Sequence, residues 1–99
     1  MLIVAGHFDV DPAEREKFIA ERDEAMRKSR AEEGCHVYAM SPDPLDAGRV
    51  LLFERWESKE ALRQHLEGLR SSPRPTSEIK MHGVEVLQYE VGEAGPVGS

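Results

Sequence analysis

The sequence predicts an α+β domain of order βαββαβ, with a four-stranded antiparallel sheet and both helices on one face. Three observations carry this. Residues 2–8 and 50–53 are short continuous apolar runs, the pattern of central strands covered on both faces. Each is followed by a capped segment of helical periodicity. Turn chemistry at residues 41–48 then makes residues 35–40 and the strand beginning at Val50 an antiparallel pair.

The first strand spans residues 2–8, with His7 near its far end on the face of Ile3 and Ala5. Asp11-Pro12 opens a helix, Asp11 as cap and Pro12 at the first helical position. That helix is expected to run to about Glu32, with Phe18, Ile19, Ala25 and Met26 on its buried side. Acid leads near its start, while Arg27, Lys28 and Arg30 sit near its end, which suits the helix dipole. Gly34 stops it.

In the second strand, residues 35–40, strict alternation puts Cys35, Val37 and Ala39 on one face and His36, Tyr38 and Met40 on the other. The third strand, opened by the apolar run of residues 50–53, ends at Trp56. Ser58 caps the second helix, residues 59–69, where Leu62, His65, Leu66 and Leu69 fall at i, i+3, i+4 and i+7. His65 therefore points where the leucines point. Residues 70–77 form a polar, proline-bearing loop, and residues 81–91 a fourth strand interrupted by Gly83. The domain is expected over residues 1–91, with residues 92–99 a loose tail.

This element order is the ferredoxin-like arrangement, in which the first and third strands are central. Both are apolar on both sides, yet the helices cover one face only. A second copy of the chain, packed sheet to sheet, is the simplest cover, so a homodimer is expected.

A chain of 99 residues is one domain. Its net charge is −6, from 13 basic and 19 acidic residues, without a basic stripe. That argues against a nucleic-acid or anionic-membrane surface. Cys35 stands alone, so an intrachain disulfide is impossible and a reducing compartment fits. The start, MLIVAGHF, reads as a strand and not a signal peptide, and nothing approaches the roughly 20 apolar residues of a membrane span. The expectation is a soluble cytoplasmic protein.

Glu33-Gly34-Cys35 in EEGCHVY, then Glu54, Trp56, Ser58, Ala61 and His65 in VLLFERWESKEALRQHL, follow a DPAEREKF helix. Together these resemble the antibiotic biosynthesis monooxygenase domain, over roughly residues 1 to 91. The resemblance implies a dimeric α/β barrel. It also implies one of several activities: cofactor-free oxidation of phenols or hydroquinones to quinones with molecular oxygen, haem degradation, or processing of a signal sugar. Haem-degrading relatives pair an asparagine on the first strand with a tryptophan and a histidine on the second helix. The matching positions here are His7, His65 and a place near Pro75, so all three depart and haem cleavage is not expected.

Among candidate residues, His65 leads. A histidine on an apolar helical face is often a packed core residue. The functional reading is a general base or hydrogen-bond partner, because an imidazole with an ordinary pKa of about 6.5 suits proton removal from a phenol. In a cofactor-free oxygenase that proton removal matters, since the phenolate itself must donate an electron to oxygen. His7 is either a strand-end residue or, if its face is the helix-covered one, a second polar group beside His65. Trp56 either packs the core or stacks on a flat aromatic substrate. Tyr38 is a half-buried strand residue or a hydrogen-bond donor to a substrate oxygen. Glu54 and Arg55 alternate, and the pattern leaves open which one faces a partner copy. Cys35 reads as a small buried hydrophobe.

No pair of histidines has H-x-x-x-H spacing, and neither a metal site nor a cofactor is expected. There is no Gly-rich phosphate loop, G-x-S-x-G, C-x-x-C or Walker pattern. The preferred function is a cofactor-independent monooxygenase acting on a small aromatic substrate in a pocket between sheet and helices. His65 and His7 would be its catalytic residues, and Trp56 and Tyr38 would contact substrate. A small-molecule binding module without turnover and a proton-transfer isomerase are the alternatives.

Overall fold

Strand β1 (Leu2–Asp9) and strand β3 (Arg49–Trp56) pair antiparallel along their whole length at the centre of a four-stranded sheet. Strand β2 (Cys35–Pro42) flanks β3, and strand β4 (Gly83–Glu90) flanks β1, in the order β2-β3-β1-β4. The structure is a computed structural model that describes residues 1–72 and 77–98. Helices α1 (Arg15–Ala20) and α2 (Asp23–Arg30) connect β1 to β2, and helix α3 (Lys59–Ser71) follows β3. This is the ferredoxin-like α+β arrangement expected from the sequence.

The expected first helix is broken in two at Glu21 and Arg22. Asp11 does cap, accepting from the Ala13 amide at 2.9 Å, but what it caps is a short 3-10 turn, Pro12–Glu14, leading into α1. At the break the Arg22 amide bonds the Ile19 carbonyl, one residue short of helical register. That leaves the Phe18 carbonyl without its usual partner. The Arg22 guanidinium takes it at 2.9 Å while lying 3.4 Å above the Phe18 ring centroid. The break also shifts the phase of α2. Ala25, expected on the buried side, is exposed, and Ser29 is buried instead.

Two apolar clusters fill the layer between sheet and helices. Leu2, Tyr38, Trp56, Ala61 and Leu62 form one, with Val4, Met26, Cys35 and Met40 against it. Val10, Phe18, Val50 and Ile79 form the other. In α3 the buried stripe is Ala61, Leu62 and His65, whereas Leu66 and Leu69, expected to share it, are each 40% exposed. Arg15 reaches across to the β2–β3 turn and donates to the carbonyls of Asp43 and Asp46 at 3.1 and 2.7 Å.

Register assigns the faces. Leu2, Val4, Gly6 and Phe8 stand opposite Trp56, Glu54, Leu52 and Val50, and this set faces the helices. Ile3, Ala5 and His7 stand opposite Arg55, Phe53 and Leu51 on the other face, beside Tyr89, Leu87 and Glu85 of β4. Leu51, Phe53, Leu87 and Tyr89 are exposed there, a bare apolar surface of the kind expected from the doubly apolar central strands. β2 departs from strict alternation. Cys35 pairs with Trp56 and Val37 with Arg55, so His36 is an extra residue in a β-bulge. Cys35 therefore lies on the helix face with Tyr38 and Met40, not with Val37 and Ala39. β4 starts at Gly83, so His82, read as a strand residue, precedes the strand.

Candidate functional site

Beneath α3 the fold assembles five side chains of four chemical types. β3 supplies Glu54 and Trp56, β2 supplies Tyr38, α3 supplies His65, and the turn between α2 and β2 supplies Glu32. Ser58 sets where α3 begins, its hydroxyl accepting from the Ala61 amide at 3.1 Å. Two turns on, His65 points down onto the sheet and is 2% exposed. Its ring is held on three sides. The Trp56 ring centroid lies 4.6 Å away at 34°, and the Tyr38 ring meets it edge-on at 5.6 Å. Nδ1 lies 3.1 Å from each carboxylate oxygen of Glu32.

Gly34 makes this closeness possible. It sits at φ +84, a backbone state that other residues rarely adopt, and a Cβ there would lie 2.5 Å from the Ala61 Cβ. The turn that carries Glu32 thus packs directly on α3. The turn itself is held by the Glu32 amide on the Ser29 carbonyl and the Cys35 amide on the Glu32 carbonyl.

The electrostatics sort the groups by what they can do near neutral pH. Burial pushes the Tyr38 phenol up to about 12, with the nearby Glu54 charge acting in the same direction, so it stays a donor. Burial likewise raises the Cys35 thiol, helped by Glu32 and Glu54, which keeps it a thiol and not a nucleophilic thiolate. Glu54 is 6% exposed and accepts a hydrogen bond from Trp56 Nε1 at 2.9 Å. Burial raises its carboxyl, and the indole N–H and the His65 ring only partly oppose this. Tyr38 and Cys35 thus hold their protons, which leaves the imidazole and the carboxyls as the groups that can accept one.

The raised Glu54 value has a stability consequence. A carboxyl that binds its proton more tightly in the folded state loses stability as pH rises from the unfolded value, about 4.3, through the higher folded one. Glu54→Gln keeps an acceptor for the indole and removes the charge. Its thermal midpoint relative to the wild type should climb across that interval and remain higher at neutral pH. A difference that is flat with pH would contradict the burial of a charge-bearing Glu54.

The structure brings His65, Trp56 and Tyr38 together but leaves His7 apart. His7 lies on the opposite face of the sheet, where period-two alternation carries it with Ile3 and Ala5. Its Nε2 is 3.4 Å from Glu85 and its Nδ1 3.5 Å from Asp9. The reading that His7 shares a pocket with His65 is therefore corrected: the sheet itself separates them. The position near Pro75 lies outside the described residues. Glu32 and Glu54 belong to the cluster, although Glu32 was not a candidate from sequence and Glu54 was weighed only as a residue facing a partner copy. Glu54 stood in the ERW string that marks the resemblance, but four consecutive apolar residues before it hid which face it takes. Among the described residues, no group of three or more His, Cys, Asp or Glu side chains converges as metal ligands. Nor is any described helix long and apolar enough to cross a membrane.

Comparison with known proteins places this geometry. A Deinococcus radiodurans structure, described as a candidate antibiotic biosynthesis monooxygenase, superposes with a TM-score of 0.77 at 20% identity, covering 100% of both chains. A Mycobacterium tuberculosis structure superposes with a TM-score of 0.72 at 26% identity, over 96% of this chain and 98% of that one. An uncharacterised Synechocystis protein is 35% identical over 66 residues, 67% of this chain but 45% of its own length. YcnE of Bacillus subtilis, named as a candidate monooxygenase, is 28% identical over 67 residues, 68% of this chain and 70% of its own. A sequence profile described as antibiotic biosynthesis monooxygenase matches residues 1–69. That span runs from β1 into α3 and includes Glu32, Tyr38, Glu54, Trp56 and His65. The chain thus belongs to the antibiotic biosynthesis monooxygenase family.

Proposed function

We propose that this protein is a cofactor-independent monooxygenase that oxidises a small phenol or hydroquinone with molecular oxygen. The observation that carries the reading is the His65 imidazole, enclosed between an indole, a phenol and two carboxylates at the sheet–helix boundary. Family membership supports an oxygenase, and the site supplies a base with flat aromatic neighbours.

In this scheme His65 removes the phenolic proton, and the phenolate passes one electron to oxygen. Recombination of the two radicals on the ring and loss of water leave a quinone. The balance for a phenol is one substrate and one O2 giving one quinone and one water, with one oxygen atom retained in product. Tyr38, kept protonated, donates to a substrate oxygen, and Trp56 forms an aromatic wall. The ring of His65 is closed to solvent in this conformation, so substrate entry requires α3 to shift off the sheet. Leu66 and Leu69, each 40% exposed, leave the outer half of α3 lightly anchored.

The same reading includes a homodimer through the bare sheet face. Its apolar residues support this, as does Arg55, whose Nε is buried on that face without a hydrogen-bond partner among the described residues.

The test is oxygen consumption with a panel of phenols and hydroquinones under 18O2. One labelled atom in the quinone and one in water is the expected outcome. Turnover that persists without oxygen would replace the reading with a proton-transfer isomerase. Saturable binding of an aromatic compound without product would replace it with a binding module.

A further inference from the structure

We infer that Glu32 is a positioning residue that holds His65 as its Nδ1–H tautomer and so leaves Nε2 as the proton-accepting atom. The inference rests on the oxygenase reading only for its catalytic consequence; the tautomer is a property of the resting protein.

Both Glu32 oxygens lie 3.1 Å from Nδ1, so a proton on that nitrogen would point between them. An ionised carboxylate accepts hydrogen bonds and cannot donate them. Glu32 reaches water, its side chain being 32% exposed, while the His65 side chain is 2% exposed. The proton of the contact therefore sits on Nδ1. A neutral imidazole has one such proton, and which nitrogen bears it is set by the bond the other atom's partner makes. Nε2 is then the lone-pair nitrogen.

The ring cannot easily turn over to exchange the two nitrogens. Trp56 lies tilted against one face and Tyr38 meets it edge-on. The span from Glu32 to Nδ1 is also fixed by the backbone. Ala61 and His65 are four residues apart on one face of α3, and Ala61 is the residue against which Gly34 closes. Gly34 lies two residues after Glu32. The glycine contact and the carboxylate contact therefore fall on successive turns of one helix stripe. Glu32 touches no reacting atom in this scheme; it acts through His65.

The tautomer can be read by long-range 15N–1H correlation on the resting wild-type protein, at a pH of about 8 or higher where a free imidazole is neutral. A protonated Nδ1 and an unprotonated Nε2 are expected. An Nε2–H tautomer would overturn the inference whatever the activity. In Glu32→Ala the preference should be lost and kcat should fall roughly 10- to 100-fold, with KM nearly unchanged. Glu32→Gln keeps an acceptor oxygen at the same reach, so it should restore the wild-type tautomer and part of the rate. If Glu32→Ala retained the wild-type tautomer, the inference would fail. If Glu32→Ala does not fold, the wild-type and Glu32→Gln spectra decide. The expected tautomer together with no oxygen uptake on any substrate would sink the oxygenase reading and leave the positioning intact. Oxygen uptake with the opposite tautomer would do the reverse.

Discussion

Trp56→Ala should cost about 3–5 kcal/mol of folding free energy, the usual range for truncating a buried aromatic. Domains of this size have a net stability of about 5–15 kcal/mol, so the variant should lose a substantial part of its margin and unfold at a markedly lower urea concentration. Two losses add. The indole is fully buried beside Leu2, Tyr38, Ala61 and Leu62, and nothing nearby can collapse into its place without moving the His65 ring. Its Nε1 is also the donor to the buried Glu54 carboxyl. Trp56→Phe separates the two, keeping most of the ring and losing the N–H. Its cost should be about 1–3 kcal/mol, the penalty of a buried acceptor left unpaired. Urea unfolding followed by circular dichroism measures both variants, since Trp56 is the sole tryptophan and its fluorescence goes with it. Equal stability of Trp56→Phe and the wild type would show that the indole–carboxyl bond contributes nothing.

His65→Gln should lower kcat for phenol oxidation by about 10²- to 10⁴-fold, the usual contribution of a positioned general base, while KM moves little. Glutamine retains an N–H that can reach Glu32, which limits the structural damage at a site only 2% exposed. Oxygen uptake under saturating substrate reads the effect, with far-UV circular dichroism as the control for folding. A rate within tenfold of the wild type would remove His65 from the proton-transfer step. Neither the phenol nor the thiol of the cluster is suited to replace it. The Tyr38 phenol, at about 12, stays protonated, and the Cys35 thiol is raised by burial and by two carboxylates.

The sequence carried the fold well, for identifiable reasons. Doubly apolar runs at residues 2–8 and 50–53 marked the central strands, and Ser58 and the SPDPLDAG turn marked where elements start and stop. What it concealed were features of phase. The break at Arg22 is held by its guanidinium on the Phe18 carbonyl, which periodicity cannot reveal, and it moved Ser29 inward in place of Ala25. His65, Trp56 and Tyr38 were legible because each sits on a strongly patterned segment. Glu32 was not, because its direction depends on the left-handed turn at Gly34 and not on helix periodicity. His7 was placed correctly beside Ile3 and Ala5, but a strand with apolar residues on both faces does not tell which side the helices cover.

The extra residue in β2 is a spare step in the pleat: it lets Cys35 and Val37, two apart in sequence, sit on opposite sides of the sheet. With His36 excised, ordinary alternation would still send Cys35 to the side opposite Val37, and the glycine before it would keep its place against the second crossover helix. A one-residue deletion at this exposed histidine should thus be absorbed within the strand and leave the carboxylate coupled to the imidazole it serves.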